Sequence, residues 1–572
     1  MHVRRFLANH LRIGPAVALA LLFIGLGPVP AAETRAPVPE RMRPGFESIT
    51  AVDSAAFLEF IAADELEGRD TPSRGQSLAR KYVRSLYKSW GVAPFGDARA
   101  SGPRSHEQAL PMFVKAYGPG TAMTVRSGGL TRTFRMGGDF TYSNGADWSG
   151  AIDGRVVFAG YGVSAPDLGY DDFAGIDVRG KIVLVAAGRP GGDERETVFT
   201  GPEHWARFAG RRTPVENCAR LLAGRGALAL VVADPSFDRP ARPQGYVQGA
   251  RISSASNRVV SPPIAAADPM TPTFWVSPRL ADALLVAAGT SLGERTRKID
   301  AVLKPSSLDI PGLTMTIDVD VALQASTCAN LLGVIEGSDP DLRNEYVIVG
   351  AHLDHIGLND DGHVFNGADD NGSGSVGVLQ IAKALALNPT KPRRSVILAH
   401  WTGEEKGLLG SLAFVKEPSI PLNTIKACVN LDMIGRETTP QAVKSQAAEF
   451  HLSAKARAEI GDDPRRLLMV YVPLFAPGLG ALVTELSDAH LGLNVVLLPS
   501  APMIGNSDHY FFALEGIPSL FLFTGGHSDA HQPTDTVDRI DAEKMADVVR
   551  LAYLTVYAAA DSPGPWDGVR LP

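Results

Sequence analysis

From Tyr346 to Leu431 the chain alternates between two hydrophobic periods. Tyr346 to Val349, Val396 to Leu398 and Ala427 to Leu431 are short apolar runs with β-branched members, the pattern of parallel strands buried on both faces. Between the first two, Val378, Ile381, Ala382 and Leu385 recur at the spacing of a helix face, opened by Ser373 and stopped by Asn388-Pro389. A second crossover, Gly407 to Lys416, leads into the third run. The pattern predicts an α/β fold with a parallel sheet covered by helices on both faces.

The flanking patterns fill in the rest. Pro37 to Pro44 is a proline-rich lead-in, expected to be an extended arm. Phe57, Phe60 and Ile61 mark one amphipathic helix, and Leu78, Tyr82, Leu86 and Trp90, closed by Gly91, mark a second. These two helices are too small to form their own core and should pack on the sheet far downstream. From Gly150 the chain turns to short strands with frequent glycine and proline. Arg155 to Ala159, Lys181 to Ala186, Ala227 to Val232 and Phe274 to Val276 read as strands, with helices at Val215 to Leu222 and Ala281 to Ala288. Beyond Arg436, strands are expected at Leu467 to Val472, Val495 to Leu498 and Ser519 to Phe523, with a helix around Leu479 to Leu486 and a closing helix carrying Met545, Val548, Val549, Ala552 and Val556. The expected division is a leader over 1–31, helices packing on the main domain within 32–149, an inserted α/β module over 150–310, and the main domain over 311–572.

Composition narrows the function class. At 572 residues the chain exceeds the size at which one hydrophobic core stops growing, so two domains are expected. A formal net charge of -7 offers no electrostatic case for nucleic acid or an anionic membrane surface. Arg4, Arg5 and Arg12, the apolar segment Pro15 to Leu26 and the site Val29-Pro30-Ala31 form a secretory signal peptide, which implies a periplasmic or secreted protein without a membrane anchor. The three cysteines, Cys218, Cys328 and Cys428, are too scattered for a disulfide framework; a Cys328–Cys428 bridge stays open.

Candidate chemistry sits where the strands stop. In doubly wound sheets ligands collect beyond the carboxyl ends of the strands, and His352, Asp354, Glu404, Glu405 and Asp432 all fall there. A crevice of carboxylates repels itself unless cations enter it. Imidazole and carboxylate together suit zinc, and a hydrolytic pair of ions needs one carboxylate shared between them.

The strings AHLDH, NGADDNGSG, TGEEKGLLGS, NLDMIGR, SDHYFF and DAHQPTDTVDRI, in this order, resemble the M28 family of di-zinc metallopeptidases, which includes bacterial leucyl-type aminopeptidases. The resemblance extends to AADELEGRDTPSRGQSLARKY near the amino terminus. It also takes in VVFAGYGVSAPDLGYDDFAGIDVRGKIVLV, which looks like the family's protease-associated domain, so the inserted module is expected to be one. The resemblance implies a mixed, largely parallel sheet sandwiched by helices. It also implies two zinc ions per chain, with His352, Asp370, Glu405, Asp432 and His531 as ligands. Asp370 would bridge both ions, Glu405 and His531 complete one, and His352 and Asp432 complete the other. Glu404 matches the general base, and Asp354 the aspartate that orients His352.

Neighbouring residues have plainer readings. Asp369 is expected to be a turn residue, Asp508 and His509 to line the pocket, and Asp535 to shape the loop holding His531. His355, His363, His400 and His527 are expected to be structural or solvated. Tyr510 is either a wall aromatic or an oxyanion donor. Ala530 departs from the family pattern, which often has tyrosine there. The function implied is hydrolysis of amino-terminal residues from peptide substrates. The alternatives are a zinc carboxypeptidase or dipeptidase, a glutaminyl-cyclase-like transferase, or a non-catalytic binding protein of the same fold. A carboxypeptidase needs a cationic clamp, for which Arg436 is a candidate by proximity alone.

Overall fold

The computed structural model describes residues 35–562 apart from 100, 145–148, 192–196, 198, 200–213, 236, 238–245, 248–249, 254–257, 262–269, 360–361, 450–451 and 501–506. The leader at 1–31 lies outside the described residues, as does most of the 235–272 stretch. Two sheets organise the rest. In the 12-stranded sheet the central order is Val321–Ile335, Ser395–Trp401, Tyr346–His352, Ile425–Leu431, Ser519–Phe523, Leu467–Pro473 and Asn494–Ser500. Tyr346–His352 runs parallel to both neighbours, Ile425–Leu431 is parallel to Ser519–Phe523, and Leu467–Pro473 to Asn494–Ser500. Val321–Ile335 and the contact between Leu467–Pro473 and Ser519–Phe523 are antiparallel. The centre of the sheet, over these seven strands, is therefore mixed and largely parallel, with helices on both faces.

Strand side chains alternate between faces, and each face has its own apolar layer. Val347, Val349, Val396, Leu398, Val429 and Leu431 pack with Val378, Ile381 and Leu385 of the helix Gly374–Leu387 and with the closing helix Ala542–Asp561. Ile348, Ile397, Ala399 and Trp401 face the other way, onto Phe414 and Phe512. The two amino-terminal helices join the first layer. Ala51–Ile61 is capped by Thr50 and Arg74–Ser89 by Ser73, each side-chain oxygen accepting from a backbone N–H of the first turn. Their Leu58, Ile61, Val83 and Tyr87 are buried in the same core as the sheet strands, which supplies the partner they lacked in sequence.

The 8-stranded sheet runs Leu130–Arg135, Ala122–Ser127, Leu308–Val319, Gly150–Phe158, Lys181–Ala186, Ala229–Ala233, Thr273–Val276, Phe140–Asn144. It reaches beyond the expected 150–310 at both ends. The expected boundary at 310/311 falls inside the strand Leu308–Val319, which carries Pro311-Gly312 and whose register shifts between Asp309 and Thr314. Proline is tolerated at such an irregularity. The hairpin Ala122–Ser127 and Leu130–Arg135 is rich in threonine and arginine, so no apolar run announces it. A long antiparallel ribbon joins the sheets: Val321–Ile335 pairs with Glu107–Tyr117 from Val321↔Tyr117 to Leu331↔Glu107, and only its last residues enter the central sheet. Cys218, Cys328 and Cys428 are all free and buried, so the open bridge is not formed. Among the described residues no helix is long and apolar enough to cross a membrane.

Candidate metal centre

The carboxyl ends of three parallel strands deliver the central groups. His352 is the last residue of Tyr346–His352, and its Nδ1 donates to the Asp354 carbonyl at 3.0 Å, which turns Nε2 into the crevice. That nitrogen lies 3.4 Å from Asp370 Oδ1 and 3.4 Å from Asp432 Oδ1. Asp432 follows directly on Ile425–Leu431. Glu404 and Glu405 open a short 3-10 turn after Ser395–Trp401, entered through Gly403 in the left-handed region (φ 68). His531 comes from the loop after the strand Ser519–Phe523, and its Nε2 sits 2.7 Å from Asp370 Oδ2 and 3.4 Å from Glu405 Oε1. Asp370 thus turns one oxygen to His352 and the other to His531, the placement of a shared ligand.

Three overlapping groups have ligand atoms within 4.8 Å of one another: His355, Asp370, Glu405 and His531; His352, Asp370 and Asp432; and His352, Glu404 and Glu405. Buried imidazoles and carboxylates packed this closely form a donor set that zinc accepts. The residues present therefore fit two divalent ions sharing Asp370.

Charge is distributed accordingly. Burial works against the His352 cation, but Asp432 and Glu404 outweigh it and hold the imidazole well above its ordinary value. Burial likewise opposes the Asp370 anion, and the His531 and His352 imidazoles hold it well below the usual carboxylate range. Asp535 is pushed up to about 7, first by burial and then by Asp369.

Several supporting contacts depart from their sequence reading. The Asp354 carboxylate accepts from the Glu404 N–H at 3.2 Å, while its Oδ1 stays 3.9 Å from His352 Nδ1; the backbone carbonyl, not the carboxylate, orients the ring. Asp369 is a buried junction and more than a turn residue: it accepts from Gly435 N at 2.7 Å and lies 3.1 Å from His527 Nε2. Asp535 accepts from the N–H groups of Asp369 and Asp370 and so holds the loop that carries Asp370. Asp508 accepts from Ser411 Oγ at 2.5 Å. His400 is buried against Tyr87, and His363 is exposed. Arg436, the candidate carboxylate clamp, pairs with Asp529 at 2.9 Å.

Two contributors, Ser507 and Arg69, were not singled out in sequence, and a third, His355, was expected to be structural or solvated. Ser507, in SDHYFF, donates to Asp432 Oδ2 at 2.6 Å and accepts from Asn430 Nδ2 at 2.7 Å. His355 lies 2.8 Å from Glu405 Oε1 through Nδ1. Arg69 is wholly buried and donates to the carbonyls of Ile61, Leu353, Asn366 and Gly367, joining the His352 loop to the Asp370 loop. Burial pulls its pKa down to about 10, against the pull of Asp535, Asp354 and Asp370, which leaves the guanidinium charged at neutral pH. A second histidine inside AHLDH and a lone arginine among EGRD were the available signals.

Residues 330–556 match the model of peptidase family M28. The probable leucine aminopeptidase 2 of Arthroderma benhamiae is 38% identical over 122 residues, 21% of this chain and 22% of that protein. A probable leucine aminopeptidase of the same organism is 28% identical over 229 residues, 39% of this chain and 56% of the relative. The chain thus spans less than two thirds of either relative. The aminopeptidase from Aneurinibacillus sp. strain AM-1 superposes with a TM-score of 0.54 at 18% identity, covering 91% of this chain and 95% of that one. The peptidase M28 precursor from Shewanella amazonensis gives 0.50 at 17% identity, covering 92% and 96%. At these identities the structural likeness is one of fold.

Proposed function

We propose, from the match of residues 330–556 to the model of peptidase family M28, that the protein is an exported zinc aminopeptidase that removes amino-terminal residues from peptides. The observation that carries the reading is the shared position of Asp370 between the His352–Asp432 group and the Glu405–His531 group. His352, Asp370 and Asp432 would hold one zinc, and Asp370, Glu405 and His531 the other. Bound there, zinc polarises a scissile carbonyl and lowers the pKa of water.

The chain's own groups do the rest. Glu404 is the general base: it takes a proton from the attacking water and returns it to the departing amine. Its backbone is fixed by the bond from Glu404 N to Asp354, so Asp354 serves catalysis by placing the base. The buried acidic cluster would receive the free α-amino group of the substrate, which favours exopeptidase action. Arg436 is engaged by Asp529, which weakens the case for a carboxypeptidase clamp. The module in the second sheet reads as a protease-associated domain on the strength of its sequence resemblance, and export rests on the residues 1–31. The mature chain is expected to begin after Ala31, as amino-terminal sequencing of the exported protein would reveal.

The deciding experiment is a substrate profile of the zinc-loaded, leader-free protein on aminoacyl-nitroanilides and on peptides blocked at the amino terminus. Hydrolysis of the first and not the second is expected. Turnover of blocked peptides alone would reject aminopeptidase action.

A further inference from the structure

The metal group containing Asp370, Glu405 and His531 has a fourth member that its loop is built to hold. His355 is fully buried, and its Nδ1 lies 2.8 Å from Glu405 Oε1 and 3.9 Å from Asp370 Oδ2. The remaining measured edges of the group are 2.7 Å between His531 Nε2 and Asp370 Oδ2 and 3.4 Å between His531 Nε2 and Glu405 Oε1. Ligands about 2.0–2.2 Å from a tetrahedral zinc are separated from one another by roughly 3.3–3.5 Å, and the four edges scatter around that value. The two imidazoles approach with ring centroids 5.6 Å apart.

The surrounding backbone is shaped to this ring. Gly367 has φ +57, and a Cβ there would lie 2.4 Å from His355 Cγ, so the loop carrying Asp370 passes directly over the imidazole. The His355 N–H donates to the Arg69 carbonyl at 3.3 Å, while the Arg69 guanidinium holds Leu353, Asn366 and Gly367. Both edges of the ring's seat are therefore tied to one buried residue.

We propose that His355 Nδ1 is a further protein ligand of the ion held by Asp370, Glu405 and His531. This deepens, and rests on, the two-ion reading above. It makes the two sites unequal: two imidazoles and two carboxylates on one ion, and His352, Asp370 and Asp432 on the other. The four-ligand site holds its ion more tightly. The three-ligand site keeps the open coordination that catalytic zinc requires.

X-ray absorption spectroscopy of the fully zinc-loaded chain counts imidazoles around the metal without any assay of activity. The expected result is the scattering of three imidazoles, His352, His355 and His531, shared by two ions. His355→Gln should lose one of them, and its tighter zinc should dissociate about 10–100-fold more readily. Two imidazoles shared by two ions in the unaltered chain would overturn the proposal and leave the zinc peptidase reading standing. A chain that takes up no zinc would overturn both. An unchanged imidazole count in His355→Gln would also reject the ligand role, even if that variant lost activity.

Discussion

Glu404 and Glu405 leave the same strand end as neighbours yet meet different groups. Glu405 Oε1 lies 3.4 Å from His531 Nε2, whereas Glu404 Oε2 is 3.9 Å from His352 Nε2 on the other side of Asp370. Glu404→Gln preserves size and one accepting oxygen but cannot take up the water's proton. It should retain zinc by elemental analysis while kcat falls by about 10²–10⁴. Undiminished turnover would remove Glu404 from the mechanism. Ser507 acts one step further out, by donating to Asp432. Ser507→Ala should weaken zinc binding by about 10–100-fold, as metal titration against a chelator would measure, with little change in fold. The ligand positions could be carried over residue by residue from the family resemblance. Ser507 could not, because the bond it makes crosses between segments far apart in the chain.

At the scale of elements, Arg69 joins parts that have no sequence proximity. Its guanidinium satisfies the carbonyl of Ile61 at the end of an amino-terminal helix and three carbonyls of the loops that carry His352 and Asp370. Arg69→Met leaves these buried acceptors without a donor, at a cost of about 1–3 kcal/mol for each one left unsatisfied. Denaturation should show a loss of several such increments. Arg69→Lys keeps the charge but loses the planar fork, so it should recover part of the stability and little of the zinc affinity. Equal zinc affinity in Arg69→Lys and the unaltered chain would mean that the fork does not position the ligand loops. The string EGRD belonged to the legible resemblance, but its role did not. Positive backbone φ at both Glu67 and Arg69, which aims the side chain inward, is invisible to periodicity.

The whole molecule depends on its amino-terminal helices as core. Leu58, Ile61, Val83 and Tyr87 are fully or almost fully buried with the sheet strands. Each such side chain contributes about 1.5–3 kcal/mol on burial, so losing all of them would rival a typical net stability of about 5–15 kcal/mol. A chain starting at Val92 should therefore fail to reach the native state, as circular dichroism and soluble yield would report. Acid should also weaken the fold. Burial pulls His400 from its ordinary 6.5 down to about 3 and does the same to His509. In the unfolded chain these rings protonate near pH 6.5, and in the fold they stay neutral. Their contribution is thus present above pH 6.5 and is lost as pH falls toward 3, by up to about 1.4 kcal/mol per pH unit for each ring. Denaturant midpoints measured across that window should fall less steeply in His400→Leu. An identical slope would show that His400 protonates in the folded state.

The order of elements, the alternation that buries both faces of the sheet, and the identity of the strand-end histidines and carboxylates were all determined by the sequence, because each depends on local periodicity or on residue type. The hairpin at 122–135 and the continuation of a strand through Pro311-Gly312 were decided only by pairing with partners distant in the chain. The same holds for Asp369, Asp535 and Ser507, whose roles depend on which backbone groups the packed loops bring within reach. His355 stands three residues from His352 in a legible motif. Its approach to Glu405 was decided only in three dimensions, where Gly367 lets the Asp370 loop close over the ring and Arg69 holds that loop in place.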